Sequence, residues 1–374
     1  SHPRAVEKLR REKGRKSKPF ALMVRDIKEA KRLCYCTEKD EQLLQSPESP
    51  ILILAARNSI PEYLNHVSDT GTLGIMLPYT PLHILLFHHP EIRIPFTHLI
   101  MTSGNHKDEP IIFSPPEAME KLTGTADYFL FHNRRILQYS DDSILRPPLA
   151  LDRETGPGPS TKKASAVKNH CFIRRSRGYV PGLIELSLPM VKPTLALGGD
   201  LKNAPGYGAK TSFYLAPHIG DLEHPETMEA FETSIKRILE LYQAEPERIV
   251  CDLHPEYYSS NWASSFRGNS TSPLKIRRIQ HHYTHILSVM AEHGLAEAIG
   301  LACDGTGYGT DGTVWGCEFI HARRQDFQRL GSLKPFRLPG GEAAIKHPKR
   351  IALSLLLNHF SEEEAALKAG FSLT

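Results

Sequence analysis

A two-domain α/β chain is predicted by three observations. Short apolar runs of strand type alternate with helical stretches, which argues for α/β sheets. The composition breaks down into Gly, Pro, Ser, Thr and Lys between Asp152 and His170, then recovers. At 374 residues the chain also exceeds what one hydrophobic core usually supports.

The elements follow in order. Residues 5–36 read as two helical stretches around the strand-like Phe20-Ala21-Leu22-Met23-Val24. Ile51-Leu52-Ile53-Leu54, behind Pro50, is a continuous apolar run suited to a buried strand. Gly74-Ile75-Met76-Leu77 is another, stopped by Pro78; Leu82–Phe87 reads as a short helix, and His98–Met101 as a strand entering Ser103-Gly104-Asn105. The 152–170 segment lacks periodicity and reads as a flexible loop. After Cys171-Phe172-Ile173, a connector carrying Pro181, Pro189 and Pro193 leads to a second α/β block. There Met228, Phe231, Ile235, Ile238 or Leu239, and Tyr242 recur at helical spacing, ahead of Pro246 and the strand Arg248–Cys251. The boundary is placed near residue 187, giving domains 1–186 and 187–374.

Composition excludes several classes. Apolar residues are 40% and charged residues 24%, ordinary for a soluble globular protein. No run approaches the roughly 18 apolar residues of a membrane helix, and the start carries no secretory signal. Six cysteines without a CxxC pair make a poor disulfide framework and fit a reducing cytoplasm. Cys34 and Cys36, two apart on an expected helix, read as packing residues rather than metal ligands. A net charge of +4 gives no case for nucleic acid. The basic run Lys8–Lys18 is the exception, and a solvated helix face accounts for it.

Five segments carry the chemistry of the first half: Lys13-Gly14-Arg15 running to Lys18–Val24, Leu77-Pro78-Tyr79-Thr80-Pro81-Leu82-His83, Ser103-Gly104-Asn105, Asp141-Asp142-Ser143-Ile144-Leu145-Arg146, and Arg174-Arg175-Ser176-Arg177-Gly178-Tyr179. Each alone is weak, since a surface charge or a turn explains it. Fixed cations would stabilise the charge that develops on departing pyrophosphate when an acyl-adenylate forms, arginine gripping phosphate bidentately and lysine acting as a point charge. Ser and Asn at a strand end offer short hydrogen-bonding groups at a ligand crevice. In this order the set resembles the YrdC-like domain of the HypF family, whose nucleotide site uses a KxR…SxN tetrad. The resemblance implies nucleotide contacts from Lys13, Arg15, Ser103, Asn105, Ser143, Arg146, Arg175 and Arg177, with Lys13 and Arg15 catalytic.

In the second half, Gln280-His281-His282-Tyr283-Thr284-His285 opens an apolar helical stretch. His281 and His285, at i,i+4, share a helix face and can converge on one metal. After the expected strand Ala298–Ala302 comes Asp304-Gly305-Thr306-Gly307-Tyr308-Gly309. A carboxylate at a strand end beside a glycine-rich turn can complete a His/His/Asp set. Asp252 and His254 read either as cleft-lining groups or as a satisfied loop pair, and Gly198-Gly199 as a turn. These segments resemble the QHHHAH and DGTGYGxDGTxWGGE stretches of the HypF family and are similar to TsaD-type proteins of actin-like ATPase fold. The resemblance implies a metal held by His281, His285 and Asp304, with iron or zinc as the ion. Asp304 is then also catalytic, and His282 is the alternative ligand. Tyr283, Thr284 and Cys317 stand where that family usually has His, Ala and Gly.

The expected fold is therefore a YrdC-like twisted α/β sheet domain followed by a partial actin-like ATPase (ASKHA, TsaD-like) domain, the first incomplete at its N-terminus and the second at its C-terminus. The resemblance implies a cytoplasmic, ATP- and Mg2+-dependent carbamoyltransferase of [NiFe]-hydrogenase maturation. It would convert carbamoyl phosphate and ATP to carbamoyl-adenylate and pyrophosphate, then pass carbamoyl to the C-terminal cysteine of HypE, with neither membrane nor nucleic acid as partner. A threonylcarbamoyl-type tRNA-modifying enzyme and a non-catalytic nucleotide-binding fragment are the alternatives. The fused order and the DDSILR and RRSRGY segments weigh against the first, and the intact KGR, SGN, HHYTH and DGTGYG segments against the second.

Overall fold

The computed structural model describes residues 3–15, 17–106, 109–148, 170–267 and 274–372. Of the expected flexible loop at 152–170, all but His170 lies outside the described residues. The chain forms two compact units. One comprises the residues up to Glu185 with Pro189–Arg248; the other comprises Leu186–Leu188, Ile249–Arg267 and the chain from Lys275 onward.

The first unit opens with α1 (Pro3–Glu12), β1 (Ala21–Val24), α2 (Ile27–Leu33), α3 (Glu38–Leu44), β2 (Ile51–Ala55) and β3 (Thr72–Met76). It continues with α4 (Pro81–Phe87), β4 (His98–Met101), α5 (Pro115–Lys121), β5 (Ile144–Arg146) and β6 (Cys171–Arg174). The six strands make one sheet in the order β4-β1-β3-β2-β5-β6. Strands β1 and β3 are parallel, as are β2 and β5, and the other neighbours are antiparallel. Alternation puts Leu22 and Val24 with Leu52, Leu54, Leu73 and Ile75 on one face, while Met23, Ile51 and Met76 pack with Phe87 on the other. Covering both faces explains why these strands read as continuous apolar runs.

Local signals set the helix ends. The Asp26 side chain accepts from the Glu29 N–H and starts α2; Thr37 and Asp40 form a capping box on α3. Cys34 lies just past the end of α2 with extended backbone, not within a helix, because a bridge to Ala56 takes the chain over. It is buried, and Cys36 is half-buried against the same core. Burial pushes the two thiols up, to about 12 and about 11. The basic run is also more than a solvated face. The Arg10 guanidinium donates to the carbonyls of His66, Val67 and Lys18, and Lys13 is buried.

After these come β7 (Ile184–Ala196) and β8 (Gly206–Leu215), an antiparallel pair, and α6 (Pro225–Leu241). The buried face of α6 carries Phe231, Ile235 and Ile238, as the periodicity predicts.

The second unit holds β9 (Arg248–Asp252) apart from its first residue, α7 (Tyr258–Ser265), β10 (Lys275–Ile279), α8 (His281–His293) and β11 (Glu297–Ala302). It also holds β12 (Gly307–Tyr308), β13 (Val314–Trp315), β14 (Glu318–Arg323), β15 (Phe327–Ser332), α9 (Glu342–Lys346), α10 (Lys349–Leu356) and α11 (Glu362–Lys368). Helix α8 lays Tyr283, Ile286 and Met290 on the antiparallel sheet β11-β14-β15, against Ala302, Ile320 and Ala322. Gly300 permits this approach: a Cβ there would lie 2.7 Å from Ile286. The helix therefore seats directly on the strand that leads to Asp304. Among the described residues no helix is long and apolar enough to cross a membrane.

Candidate active site

Two side-chain clusters carry the predicted chemistry, one in each unit. In the first, α1 ends at Glu12 and a turn with Gly14 at φ 59° delivers Lys13 inward. The Lys13 Nζ donates to the Ser103 carbonyl at 2.8 Å, to Asn105 Oδ1 at 2.9 Å and to the Asn105 carbonyl. Ser103 Oγ donates to the same Asn105 Oδ1 at 2.7 Å, and Asn105 Nδ2 donates to the Glu109 carbonyl at 2.7 Å. Lys13, Ser103 and Asn105 thus form one network at the end of β4. Burial, reinforced by the charge of Arg15, holds the Lys13 ammonium down at about 8. Arg15 is lowered by burial and by neighbouring Arg174, and its guanidinium lies 5.5 Å from the Phe20 ring centroid. Arg174 is ion-paired with Asp141 at 3.1 Å. Cations held close against their mutual repulsion and desolvation are in a state that an incoming phosphate relieves.

The remaining predicted nucleotide contacts stand apart from this network. Ser143 is fully buried; its hydroxyl donates to the Arg177 carbonyl and accepts from the Ser176 N–H, both at 2.8 Å. Arg177 donates to Asp142 at 2.7 Å and to the carbonyls of Glu48 and Ser49, and stacks 3.6 Å from the Tyr79 ring centroid. Both side chains tie the 141–146 and 174–179 segments together. Arg146 is exposed on β5. Arg175 donates one Nη to the Gly182 carbonyl at 2.9 Å, and its other Nη is buried without a hydrogen-bond partner among the described residues. Arg174, beside Arg15, is a cation the residue-by-residue reading left without a role.

In the second unit, Gln280 caps α8 by accepting from the Tyr283 N–H at 2.9 Å, so both histidines project from the first turns of the helix. His281 Nε2 lies 2.8 Å and His285 Nε2 3.4 Å from the same oxygen, Asp304 Oδ2, and 3.2 Å from each other. Two imidazole nitrogens face each other and a shared carboxylate oxygen, and one donor atom from each residue lies within 4.8 Å of the others. That donor set fits a divalent transition metal, since neutral imidazoles direct lone pairs into one space. His281 Nδ1 contacts Asp252 Oδ2 at 2.6 Å, fixing the ring so that Nε2 points to the cluster. The Asp252 hydrogen bond raises the His281 pKa. Burial works against ionisation of Asp304, but the Gly305 N–H and then the two histidines outweigh it and lower its pKa. His282 is fully buried, with Nδ1 3.1 Å from Gln280 Nε2, and is outside the cluster.

Sequence reasoning left Asp252 open between two roles, and it fills both. Its Oδ1 accepts the His254 N–H at 2.9 Å while Oδ2 serves His281. The glycine turn presses against the histidines: a Cβ on Gly307 would lie 2.7 Å from the His282 ring and 2.9 Å from His281 Cβ. Asp311 Oδ1 accepts from Thr313 N and Oγ1 and from Trp315 Nε1, closing the β12-β13 turn. Glu318, fully buried, accepts two bonds from Arg329 at 2.6 and 2.9 Å and one from Gly316 N. Arg329→Met should leave Glu318 buried and unpaired and lower stability by about 3 kcal/mol, the low end for a broken buried pair because Arg329 is partly exposed. Urea denaturation measures this, and adding Glu318→Gln should recover part of the loss.

Residues 189–292 match the family described as HypF Kae1-like domain, and 300–371 the carbamoyltransferase Kae1-like domain, second subdomain. Residues 1–151 match the Sua5, YciO and YrdC family, described as telomere recombination. Fold and site therefore define a protein that joins a YrdC-like part to a Kae1-like part. The chain is 37% identical over 368 residues to the carbamoyltransferase HypF of Synechocystis sp., covering 98% of this chain and 44% of that protein. Against the structure of full-length HypF in its phosphate- and nucleotide-bound form the TM-score is 0.84 at 36% identity, covering 99% of this chain and 45% of that one. Against T. kodakarensis HypF it is 0.85 at 34% identity, covering 97% and 45%. The chain belongs to the HypF carbamoyltransferase family and spans under half the length of these relatives.

Proposed function

We propose that this chain carries an ATP-dependent carbamoyl-adenylate-forming site and a metal-assisted carbamoyl-transfer site. The supporting observation is that one polypeptide holds both the Lys13–Ser103–Asn105 network and the His281–His285–Asp304 cluster. In this reading the first domain is 1–186 and the second 187–374, the protein works in the cytoplasm, and ATP is used with Mg2+. Carbamate derived from carbamoyl phosphate attacks the α-phosphorus of ATP, forming carbamoyl-adenylate and releasing pyrophosphate. Lys13 and Arg15 neutralise the charge accumulating on the pyrophosphate oxygens. Ser103 and Asn105 hold Lys13 in place and share the nucleotide with Arg146 and Arg175, while Ser143 and Arg177, proposed from the motifs as nucleotide contacts, serve by fixing the pocket's wall.

His281, His285 and Asp304 would hold a divalent iron or zinc ion, with Asp252 orienting His281. When bound, such an ion supplies Lewis acidity toward the carbamoyl oxygen. The acceptor in this reading is the C-terminal cysteine thiolate of HypE, which attacks the carbamoyl carbon and expels AMP to give a thiocarboxamide. Keeping both sites on one chain limits hydrolysis of the adenylate.

Pyrophosphate release tests the reading. ATP with carbamoyl phosphate should release it, while ATP with threonine and bicarbonate should not; the opposite pattern would transfer the chain to threonylcarbamoyl chemistry. No release from either mixture would leave a nucleotide-binding fragment.

A further inference from the structure

Two cysteines flank the metal-ligand aspartate, and neither has a role in the chemistry above. Strands β11 and β14 are antiparallel, with Ala302 opposite Glu318 as their last registered pair. Cys303 and Cys317 are the next residues at the two strand ends, one beyond that last registered pair. The ladder does not simply stop there: the Cys317 N–H donates to the Asp304 carbonyl at 3.2 Å, which keeps the two strand ends together. Cys303 is exposed and Cys317 half-buried, and both are free thiols.

The setting distinguishes this pair from the other cysteines. Cys34 is buried in the first core, and Cys36 packs half-buried beside it. Cys251 is also buried, and Cys171 lies alone on β6. Directly opposed cross-strand residues have Cβ atoms roughly 4.5–5.5 Å apart, against about 3.5–4.5 Å in a disulfide, so closure needs a movement of about 1 Å. Cys317 also holds φ 58°, a left-handed conformation that a residue with a Cβ adopts at a cost. The backbone where the movement must occur is thus a tight, irregular strand end rather than regular ladder.

We propose that Cys303 and Cys317 form a reversible disulfide that acts as a redox switch on the adjoining metal site. A low-molecular-weight disulfide is the oxidant. The Cys303 thiolate attacks one of its sulfurs and expels a first thiolate; the Cys317 thiolate then attacks Cys303 Sγ in the mixed disulfide and expels the second. The protein loses two electrons and two protons, and the oxidant becomes two thiols. Cys303 precedes Asp304 in the chain, so drawing Cys303 toward β14 moves the carboxylate relative to His281 and His285. The effect on metal rests on the His/His/Asp reading given above, while formation of the disulfide does not.

The test uses the full chain, glutathione disulfide as oxidant and zinc as probe. After oxidation, alkylation of the remaining thiols and proteolysis, mass mapping should recover Cys303 and Cys317 in one linked peptide pair that dithiothreitol separates. In Cys317→Gly, which suits the left-handed backbone, glutathione should instead remain attached to Cys303. Zinc affinity of the oxidised wild-type chain should be about tenfold weaker than that of the reduced chain, the scale of a disturbed ligand support. The same treatment should leave Cys317→Gly with a smaller change. A stable glutathione adduct on wild-type Cys303, or linkage of Cys303 to another cysteine, overturns the pair. A correct linkage with unchanged zinc affinity overturns the switch. A reduced chain that takes no zinc would sink the metal reading instead, and the linkage map alone would then decide the thiol pair.

Discussion

His281→Ala is expected to abolish zinc retention, with an affinity loss exceeding the roughly 10–100-fold typical of losing only a ligand's supporting partner. His281 is the hub of the cluster, because its Nε2 meets both Asp304 and His285 while its Nδ1 is held by Asp252. Removing the ring deletes one donor and also leaves Asp252, which is buried, facing empty space. Asp252→Asn separates these effects. It keeps the donor set but removes the charged partner of Nδ1, so zinc affinity should fall about 10–100-fold. Competition with a chromogenic chelator measures both variants, and circular dichroism shows whether α8 persists. Equal zinc affinity in His281→Ala and wild type would remove this site from the molecule's chemistry.

Lys13→Ala should lower pyrophosphate release from ATP and carbamoyl phosphate by about 10²–10³-fold, the cost of removing one preorganised stabilising group. The ammonium now meets the carbonyls of Ser103 and Asn105 and the Asn105 side-chain oxygen, so its position is set before any nucleotide arrives. Lys13→Arg keeps the charge but not the compact fit and should recover only a fraction. The pH dependence has a defined sign. With its pKa lowered to about 8 by burial and by Arg15, Lys13 is cationic below that pH and loses its charge above it. In the free enzyme, kcat/KM for ATP should therefore fall as pH rises through about 8, while Lys13→Arg should extend the plateau. A flat profile through that range in the wild type would remove Lys13 from the rate-determining charge stabilisation.

Much of this was legible along the chain because it depends on local spacing. Continuous apolar runs placed β1, β2 and β3; periodicity placed α6; and the four-residue separation of His281 and His285 put both rings on one helical face. Cys34 packs in the core as read, but not on a helix, because α2 stops at Leu33, where pairing with Ala56 displaces a helix that local propensity would have continued. The 141–146 and 174–179 segments were legible as motifs, but not the division of labour within them. Only packing shows that both sides of the Ser143 hydroxyl and most of the Arg177 guanidinium are engaged with the protein itself.

Hydrogen bonding and side-chain periodicity over a few residues made β1 to β4, α6 and the paired histidines readable along the chain, together with the family it resembles. Which distant groups meet is a matter of packing. Asp252 reaches His281, Asp304 closes the pair of imidazoles, Lys13 finds Asn105 across the first unit, and Cys303 and Cys317 come to neighbouring strand ends. Those meetings depend on strand order, register and burial. They are fixed by the packing of whole sheets rather than by any short stretch of chain.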